Sequence, residues 1–351
     1  MTVSEFALAP LSLIYGAVTH LRARAYRKGI LKPRRLNGTV ISVGNLTVGG
    51  TGKTPTVLWI AERLASEGKS VGILTRGYRG RASGSRESAN AAPNPSTSDE
   101  VRMLQSRLGE RAAFGIGPDR YANGVQLAKR GVNWFVLDDG FQHLQLARDV
   151  DIVLIDATNP FGGGRLLPAG RLREPRSALA RADIVVITRS KHAPAVEAAI
   201  RRETDASIYY ARPKLDAIHS FTDGQLAGNV TPSALGPLFA FCAIGNPQAF
   251  VADLRAWGVE IAGHKFFPDH HRFTDEDDEE ILREATAAGA PGLICTEKDL
   301  YNLHAVHYRK MPIFYCEISM RIDRQDEFWS EVLTIAKLRG EASQLKLQET
   351  K

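Results

Sequence analysis

At 351 residues the chain has room for two domains. Its 44% hydrophobic and 24% charged residues are the balance of an ordinary globular protein. Its three cysteines, Cys242, Cys295 and Cys316, are too widely spaced for a disulfide framework or a metal-ligand cluster. Reduced, cytosolic thiols are expected, with Cys295 in the apolar run Gly-Leu-Ile-Cys as a core residue.

The net charge of +6 is unevenly spread. No acidic residue lies between Glu5 and Glu62, an interval that holds Arg22, Arg24, Arg27, Lys28, Lys32, Arg34, Arg35 and Lys53. A nucleic-acid binder could carry such a cluster. Here, however, it follows an uncharged apolar stretch at residues 6–19, and a basic segment beside an apolar helix marks an interfacial membrane anchor. That stretch as a helix rises about 21 Å, short of the roughly 30 Å of a hydrocarbon core. Pro10 suits a first helical turn, and Leu11, Ile14, Tyr15, Val18 and Leu21 share one face. A helix lying in or dipping into the cytoplasmic leaflet is expected, the alternative being a helix packed on the protein's own core. A cleaved signal peptide is not expected, because the charges follow the apolar run and no small-residue cleavage site ends it.

Residues 41–55, ISVGNLTVGGTGKTP, read as strand, phosphate loop and helix. Val40, Ile41 and Val43 begin the strand, and Val57, Leu58, Ile60, Ala61 and Leu64 follow at helical spacing. Glycines let backbone N–H groups curl around a phosphate, and the helix N-terminus adds partial positive charge. Lys53 reaches the β- and γ-phosphates in such a loop, and the Thr54 hydroxyl ligates Mg2+. The first glycine position of G-x-x-x-x-G-K-[ST] is Thr47 here. The plainer alternative is a glycine-rich turn with a chance Gly-Lys-Thr.

Strands and helices then alternate. Val71–Thr75 reads as a strand ending in Arg76-Gly77-Tyr78, and the Ser/Ala/Pro/Asn-rich residues 82–98 as a mobile loop. Ala112–Ile116 is a strand and 121–129 a helix; 134–137, 152–155 and 184–187 are buried strands. This order predicts a parallel sheet covered on both faces, with its chemistry at the carboxyl ends of the strands. A second unit begins near Ala211-Arg212-Pro213, with strands at 238–243, 260–267 and 292–296 and helices at 247–257 and 274–288. The polar tail after Lys337 is expected to fray.

The strand at 134–137 ends in Asp138-Asp139, carboxylates that a phosphate-loop enzyme uses to hold Mg2+; a loop cap is the structural alternative. Asp99 opens a helix containing Val101, Leu104 and Leu108. Composition alone favours an N-cap there over a general base near the γ-phosphate. Phe267-Pro268-Asp269-His270-His271 ends a strand, its adjacent histidines pointing in different directions. An exposed loop histidine is the ordinary case, but Pro268 and the flanking aromatics would also anchor a positioned acid–base group. Gly162-Gly163-Gly164-Arg165 and Arg171-Leu172-Arg173-Glu174-Pro175 suit a second anion besides ATP, or a solvated loop. Thr296-Glu297-Lys298-Asp299 has the wrong spacing for guanine reading and Asp138-Asp139-Gly140 is not D-x-x-G, which disfavours a GTPase.

In their order these segments resemble the tetraacyldisaccharide 4′-kinase family. The matching pieces are SVGNLTVGGTGKTP, LTRGYRG, DEVRML, LDDGFQH, DATNPFGGGRLLPAGRLREP, FCAIGNPQAF, FFPDHH and CTEKD, over about 300 residues. The family's G-D-E reads Ser98-Asp99-Glu100 here, and its G-N-G reads Gly162-Gly163-Gly164. The resemblance implies transfer of the ATP γ-phosphate, with Mg2+, to the 4′-hydroxyl of a tetraacyl glucosamine disaccharide 1-phosphate at the cytoplasmic face of the bacterial inner membrane. It implies a P-loop NTPase-type α/β core at 36–212, a smaller α/β domain at 213–351 closing over the active site, and a membrane-anchoring helix and basic segment at 1–35. Thr47, Val48, Gly49, Gly50, Thr51, Gly52, Lys53 and Thr54 would hold ATP; Thr54, Asp138 and Asp139 the metal; Arg76, Arg120, Arg171, Arg173 and Glu174 the substrate. Asp99 becomes the general base, with His270 closing from the other domain to orient it and Lys53 catalytic. No nucleic-acid partner is expected. The rival readings are a membrane-docked nucleotide switch and a soluble small-metabolite kinase.

Overall fold

The computed structural model describes residues 3–77, 98–222, 225–303 and 311–348. Tyr78 and the expected loop at 82–98, apart from Ser98, lie outside the described residues. The chain divides into two compact units. Unit 1 is Met1–Asn94, Arg107–Arg212 and Met320–Lys351; unit 2 is Pro95–Ser106 and Pro213–Ser319.

In unit 1, α1 (Val3–Arg27) precedes β1 (Thr39–Asn45), α2 (Lys53–Ser66) and β2 (Val71–Thr75). After α3 (Asp99–Leu108), most of which belongs to unit 2, come β3 (Ala112–Ile116), α4 (Arg120–Ala128), β4 (Trp134–Asp138), β5 (Val150–Asp156), β6 (Ile184–Thr188), α5 (Pro194–Arg201) and β7 (Ser207–Thr222), which passes into unit 2 at Pro213. The strands run parallel in the order β3-β2-β4-β1-β5-β6-β7. Every residue of β5 and β6 is buried, the pattern of a parallel sheet covered on both faces. One covering layer holds Leu36, Val40, Leu74, Leu127 and Phe135; another packs Leu46, Phe141, Val153, Leu179 and Ile187. The helix α1 begins at Val3, so Pro10 lies inside it and not in its first turn.

Unit 2 continues with β8 (Gln225–Asn229), β9 (Leu238–Cys242), α6 (Pro247–Ala256), β10 (Ile261–Phe266), α7 (Asp275–Ala287), β11 (Leu293–Thr296), α8 (Glu297–Leu300) and β12 (Ile313–Ile322). The order β10-β9-β11-β12 is parallel, and β8 returns antiparallel on the later part of β7. Side chains at helix starts satisfy the first N–H groups: Asn246 accepts from Ala249, and Thr274 and Thr296 form reciprocal capping boxes with Asp277 and Asp299. All three cysteines are buried free thiols, with Cys295 in the core as its apolar run predicts.

The last described element is α9 (Gln325–Gln348), which returns to unit 1. Phe328 of α9 is fully buried, edge-on to Trp59 at 5.6 Å and to Tyr209 at 5.2 Å. The described residues from Met320 on therefore group with the phosphate-loop unit and not with the rest of the expected 213–351 domain. The helix also runs ten residues or so past Lys337, where fraying was expected; its Glu, Ala, Gln, Leu and Lys residues are strong helix formers.

Candidate active site

In unit 1 the site starts at the carboxyl end of β1. Strand β1 is buried along nearly its whole length, and the chain leaves it through a turn in which Gly49 (φ 114°) and Gly52 (φ 88°) take left-handed conformations that favour glycine. Gly52 is the N-cap of α2 and offers no side chain to that helix's first N–H groups, and no acid lies in the first turn. Such an end suits an anion. Asn45 holds the turn from within: its Nδ2 donates to the Thr47 carbonyl at 2.6 Å, and its Oδ1 accepts from Lys53 Nζ at 3.2 Å. Thr188 Oγ1 donates to the Thr51 carbonyl at 3.1 Å. The Thr51 hydroxyl is buried with no partner among the described residues, an orphan donor in a phosphate cradle. Thr54 is buried in the first turn of α2.

Strand β4 lies beside β1 with Asp138 in register with Val43, which sets both aspartates at the same sheet end as the loop. Asp138 is buried and accepts from Thr75 Oγ1 at 3.1 Å. Asp139 has a left-handed φ of 51°. Arg173 Nη1 reaches both its oxygens, at 2.7 and 2.6 Å, and Lys53 Nζ lies 3.6 Å away. Burial favours the neutral acid, but the charges of Lys53 and Arg173 outweigh it and hold the Asp139 carboxyl below its usual range.

The segment 171–173 straps the loop. Val48 N–H donates to the Arg171 carbonyl at 2.8 Å, and Arg173 N–H donates to the Leu46 carbonyl at 2.7 Å. The exposed Arg171 guanidinium donates back to the Val48 carbonyl at 3.1 Å. Gly162, Gly163 and Gly164 are all left-handed, and a Cβ on Gly162 would come within 2.6 Å of Arg171 Cβ. Glu174 is buried and paired with Arg181 at 2.6 Å. Arg120, buried in the first turn of α4, donates to the Pro118 carbonyl at 3.2 Å, and its charge bears on Asp139. Arg76 follows β2, exposed, at the strand's carboxyl end.

In unit 2, Asp99 meets His270. The cap position of α3 falls to Ser98, whose Oγ faces Val101 N–H at 3.5 Å; Asp99 is the first helical residue, so the capping role belongs to its neighbour. Asp99 Oδ1 accepts from Glu100 N–H at 2.9 Å; its Oδ2 faces His270 Nδ1 at 3.3 Å and Asn302 Nδ2 at 3.4 Å. Burial pushes the Asp99 acid up, but the His270 hydrogen bond and the Lys298 charge outweigh it and bring the carboxyl down to about 2. The same hydrogen bond raises His270 above the ordinary imidazole value, against burial. His270 has a left-handed φ of 60°, held by its N–H on the Ala243 carbonyl at 3.0 Å. Its neighbour His271 turns away, pairing with Asp277 at 2.7 Å and stacking on Phe267.

The sequence reading puts Asp99 with the phosphate-loop domain and brings His270 to it by domain closure. In the structure both belong to unit 2, already within reach of each other. The cause is local: Glu100 pairs with Lys298 at 2.5 Å, tying the start of α3 into that unit. Sequence reasoning missed Asn45, Lys298 and Asn302. The Thr-Glu-Lys-Asp run reads in the sequence as a mismatch to nucleotide-base recognition and as one family motif, while its T-x-x-D pattern signals a capped helix start.

A family model for tetraacyldisaccharide-1-P 4′-kinases matches residues 4–337. The tetraacyldisaccharide 4′-kinase of Anaeromyxobacter sp. (strain K) is 40% identical over 322 residues, 86% of this chain and 83% of its own. That of Geobacter metallireducens is 40% identical over 329 residues, 90% and 93% of the two chains. The crystal structure of "apo" form LpxK from Aquifex aeolicus in complex with ATP superposes with a TM-score of 0.71 at 28% identity, covering 95% of this chain and 99% of that one. The chain belongs to the tetraacyldisaccharide-1-phosphate 4′-kinase family.

Proposed function

We propose that the chain transfers the γ-phosphate of ATP to the 4′-hydroxyl of a tetraacyl disaccharide 1-phosphate. The observation that carries this is the glycine turn at the end of β1, with Lys53 at its head and two aspartates on the adjoining parallel strand, in a chain of this family. Unit 1 supplies the phosphate site: Lys53, the loop N–H groups and the first turn of α2 neutralise the nucleotide's charge as it transfers. Unit 2 supplies the base. Asp99 Oδ2 accepts the proton of the sugar hydroxyl, and His270 fixes that oxygen's direction through Nδ1.

Thr54, Asp138 and Asp139 offer oxygen donors only, the chemistry that suits a hard divalent cation completed by phosphate oxygens. Mg2+ held there would offset charge on the β- and γ-phosphates. Arg76, Arg120, Arg171 and Arg173 are proposed to order the substrate's anionic groups, with Arg173 shared between substrate and Asp139, and Glu174, itself an anion, to serve the substrate site as an acceptor held by Arg181.

Membrane association rests on α1. Its Ser12 Oγ donates to the Leu166 carbonyl at 3.0 Å and accepts from Ala169 N–H at 2.9 Å, so the small, polar side faces unit 1. Leu13 (75% exposed), Ile14 (62%), Val18 (59%) and Leu21 (64%) face outward, followed by exposed Arg22, Arg24 and Arg27. Among the described residues no helix is long and apolar enough to cross a membrane. We read α1 as lying on the anionic cytoplasmic face of the inner membrane, where an acylated substrate resides. A transfer assay with labelled ATP and a panel of acylated disaccharide 1-phosphates tests the reading. Label is expected on the 4′-oxygen of the tetraacyl acceptor; hydrolysis without transfer, or preference for an unacylated metabolite, would overturn it.

A further inference from the structure

We infer that the segment 296–302, Thr-Glu-Lys-Asp-Leu-Tyr-Asn, is a positioning frame that holds both members of the Asp99–His270 pair. The inference rests on Asp99 being the base and goes beyond it by assigning roles to Lys298, Asp299 and Asn302.

The histidine side of the frame is Asp299. Its side chain is buried at the start of α8, where Oδ2 accepts from Thr296 N–H at 3.1 Å and Thr296 Oγ1 at 2.5 Å. A helix cap needs no more than this. Its other oxygen leaves the helix and accepts the Ala243 N–H at 2.9 Å. Ala243 in turn accepts the His270 N–H through its carbonyl. The backbone of one residue thus links Asp299 to a histidine whose left-handed backbone is costly unless held from outside.

The aspartate side is Lys298 and Asn302. Lys298 Nζ binds Glu100 Oε1 at 2.5 Å, fixing the residue next to Asp99, and its charge acts on the Asp99 carboxylate. Asn302, held by its N–H on the Asp299 carbonyl at 2.9 Å, donates its side-chain amide to Asp99 Oδ2. The charged groups facing the pair are Lys298 and Asp299 from α8, Glu100 from α3 and Asp269 from the histidine's own loop. Arg102, the next cation along α3, lies over the Tyr301 ring at 5.5 Å. Lys298 is the cation among these besides His270 itself, and removing it lets the pair keep its proton to higher pH.

The test is turnover and KM for both substrates across pH, with melting midpoints, for Lys298→Met, Lys298→Arg, Asn302→Leu and Asp99→Asn. Lys298→Met is expected to lower kcat by about 10- to 100-fold, the scale of a misplaced catalytic group. KM for ATP should stay unchanged, and the acidic limb of kcat should move to higher pH. Lys298→Arg should restore the position of that limb. Asn302→Leu, which alters no charge, should lower kcat by about 10-fold with KM for ATP unchanged, and carries the test should Lys298→Met not fold. A folded Lys298→Met or Asn302→Leu protein with wild-type kcat and pH profile, beside an inactive Asp99→Asn, overturns the frame. An active Asp99→Asn protein overturns the reading of the base instead.

Discussion

The two charged side chains proposed to carry most of the chemistry are each held by neighbouring side chains. Lys53 is directed by Asn45, and Asp99 by the His270 imidazole and the Asn302 amide. Lys53→Ala removes a fixed cation from the transferring group and should lower turnover by about 10²-fold or more in steady-state assays. Asp99 and His270 touch, so their losses should not multiply. Asp99→Ala and His270→Ala should each slow turnover severely, and the double variant should be scarcely worse than Asp99→Ala alone; fully multiplicative losses would mean independent roles. The pH behaviour follows from the shift of Asp99 to about 2. Its folded value lies below the unfolded one, so the pair stabilises the fold above the ordinary carboxylate range, and that contribution is lost as pH falls towards 2. In kinetics the ionised base should persist to the same acidity. His270→Ala removes the strongest favourable contact and should raise the midpoint of the acidic limb toward 3.8.

Among the elements, β1 leaves no room for a side chain at Gly44. A Cβ added at Gly44 would lie 2.6 Å from Phe141 Cβ and 2.7 Å from its backbone nitrogen. Backbone cannot yield as a side chain can, so Gly44→Ala should cost about 1–3 kcal/mol in urea unfolding. The helix α1 contributes outside the fold: reversing Arg22, Arg24 and Arg27 should weaken binding to anionic vesicles by about 1 kcal/mol per charge in a salt-dependent way, read by flotation. Elements whose buried runs are continuous, such as β2, β5 and β6, were legible in the sequence because a fully covered parallel strand leaves an unbroken apolar signature. Strand β7 was not, since Pro213 within it removes a backbone donor and argues against a strand. The Asp99–His270 contact spans 171 residues, and no local pattern encodes it; only the family resemblance pointed there. Lys298 and Asn302 stayed hidden for the same reason, their partners lying about 200 residues upstream.

At the scale of the whole molecule the chain crosses between units more than once, and sequence neighbours part company. Residues 98–106 join unit 2, while 320–348 return to unit 1. The return is structural: Phe328→Ala would empty a fully buried site beside Trp59 and Tyr209. It should cost about 3–5 kcal/mol, seen as an early loss of unit 1 on heating. In the proposed mechanism the residues assigned to phosphate handling belong to unit 1 and the proposed base to unit 2. The most direct test measures ATP binding and label transfer to the tetraacyl disaccharide 1-phosphate side by side, for wild type, Lys53→Ala and Asp99→Ala. The account predicts that Lys53→Ala weakens both, whereas Asp99→Ala binds ATP as wild type does and fails to transfer. An Asp99→Ala protein that transfers label at near-wild-type turnover would contradict it.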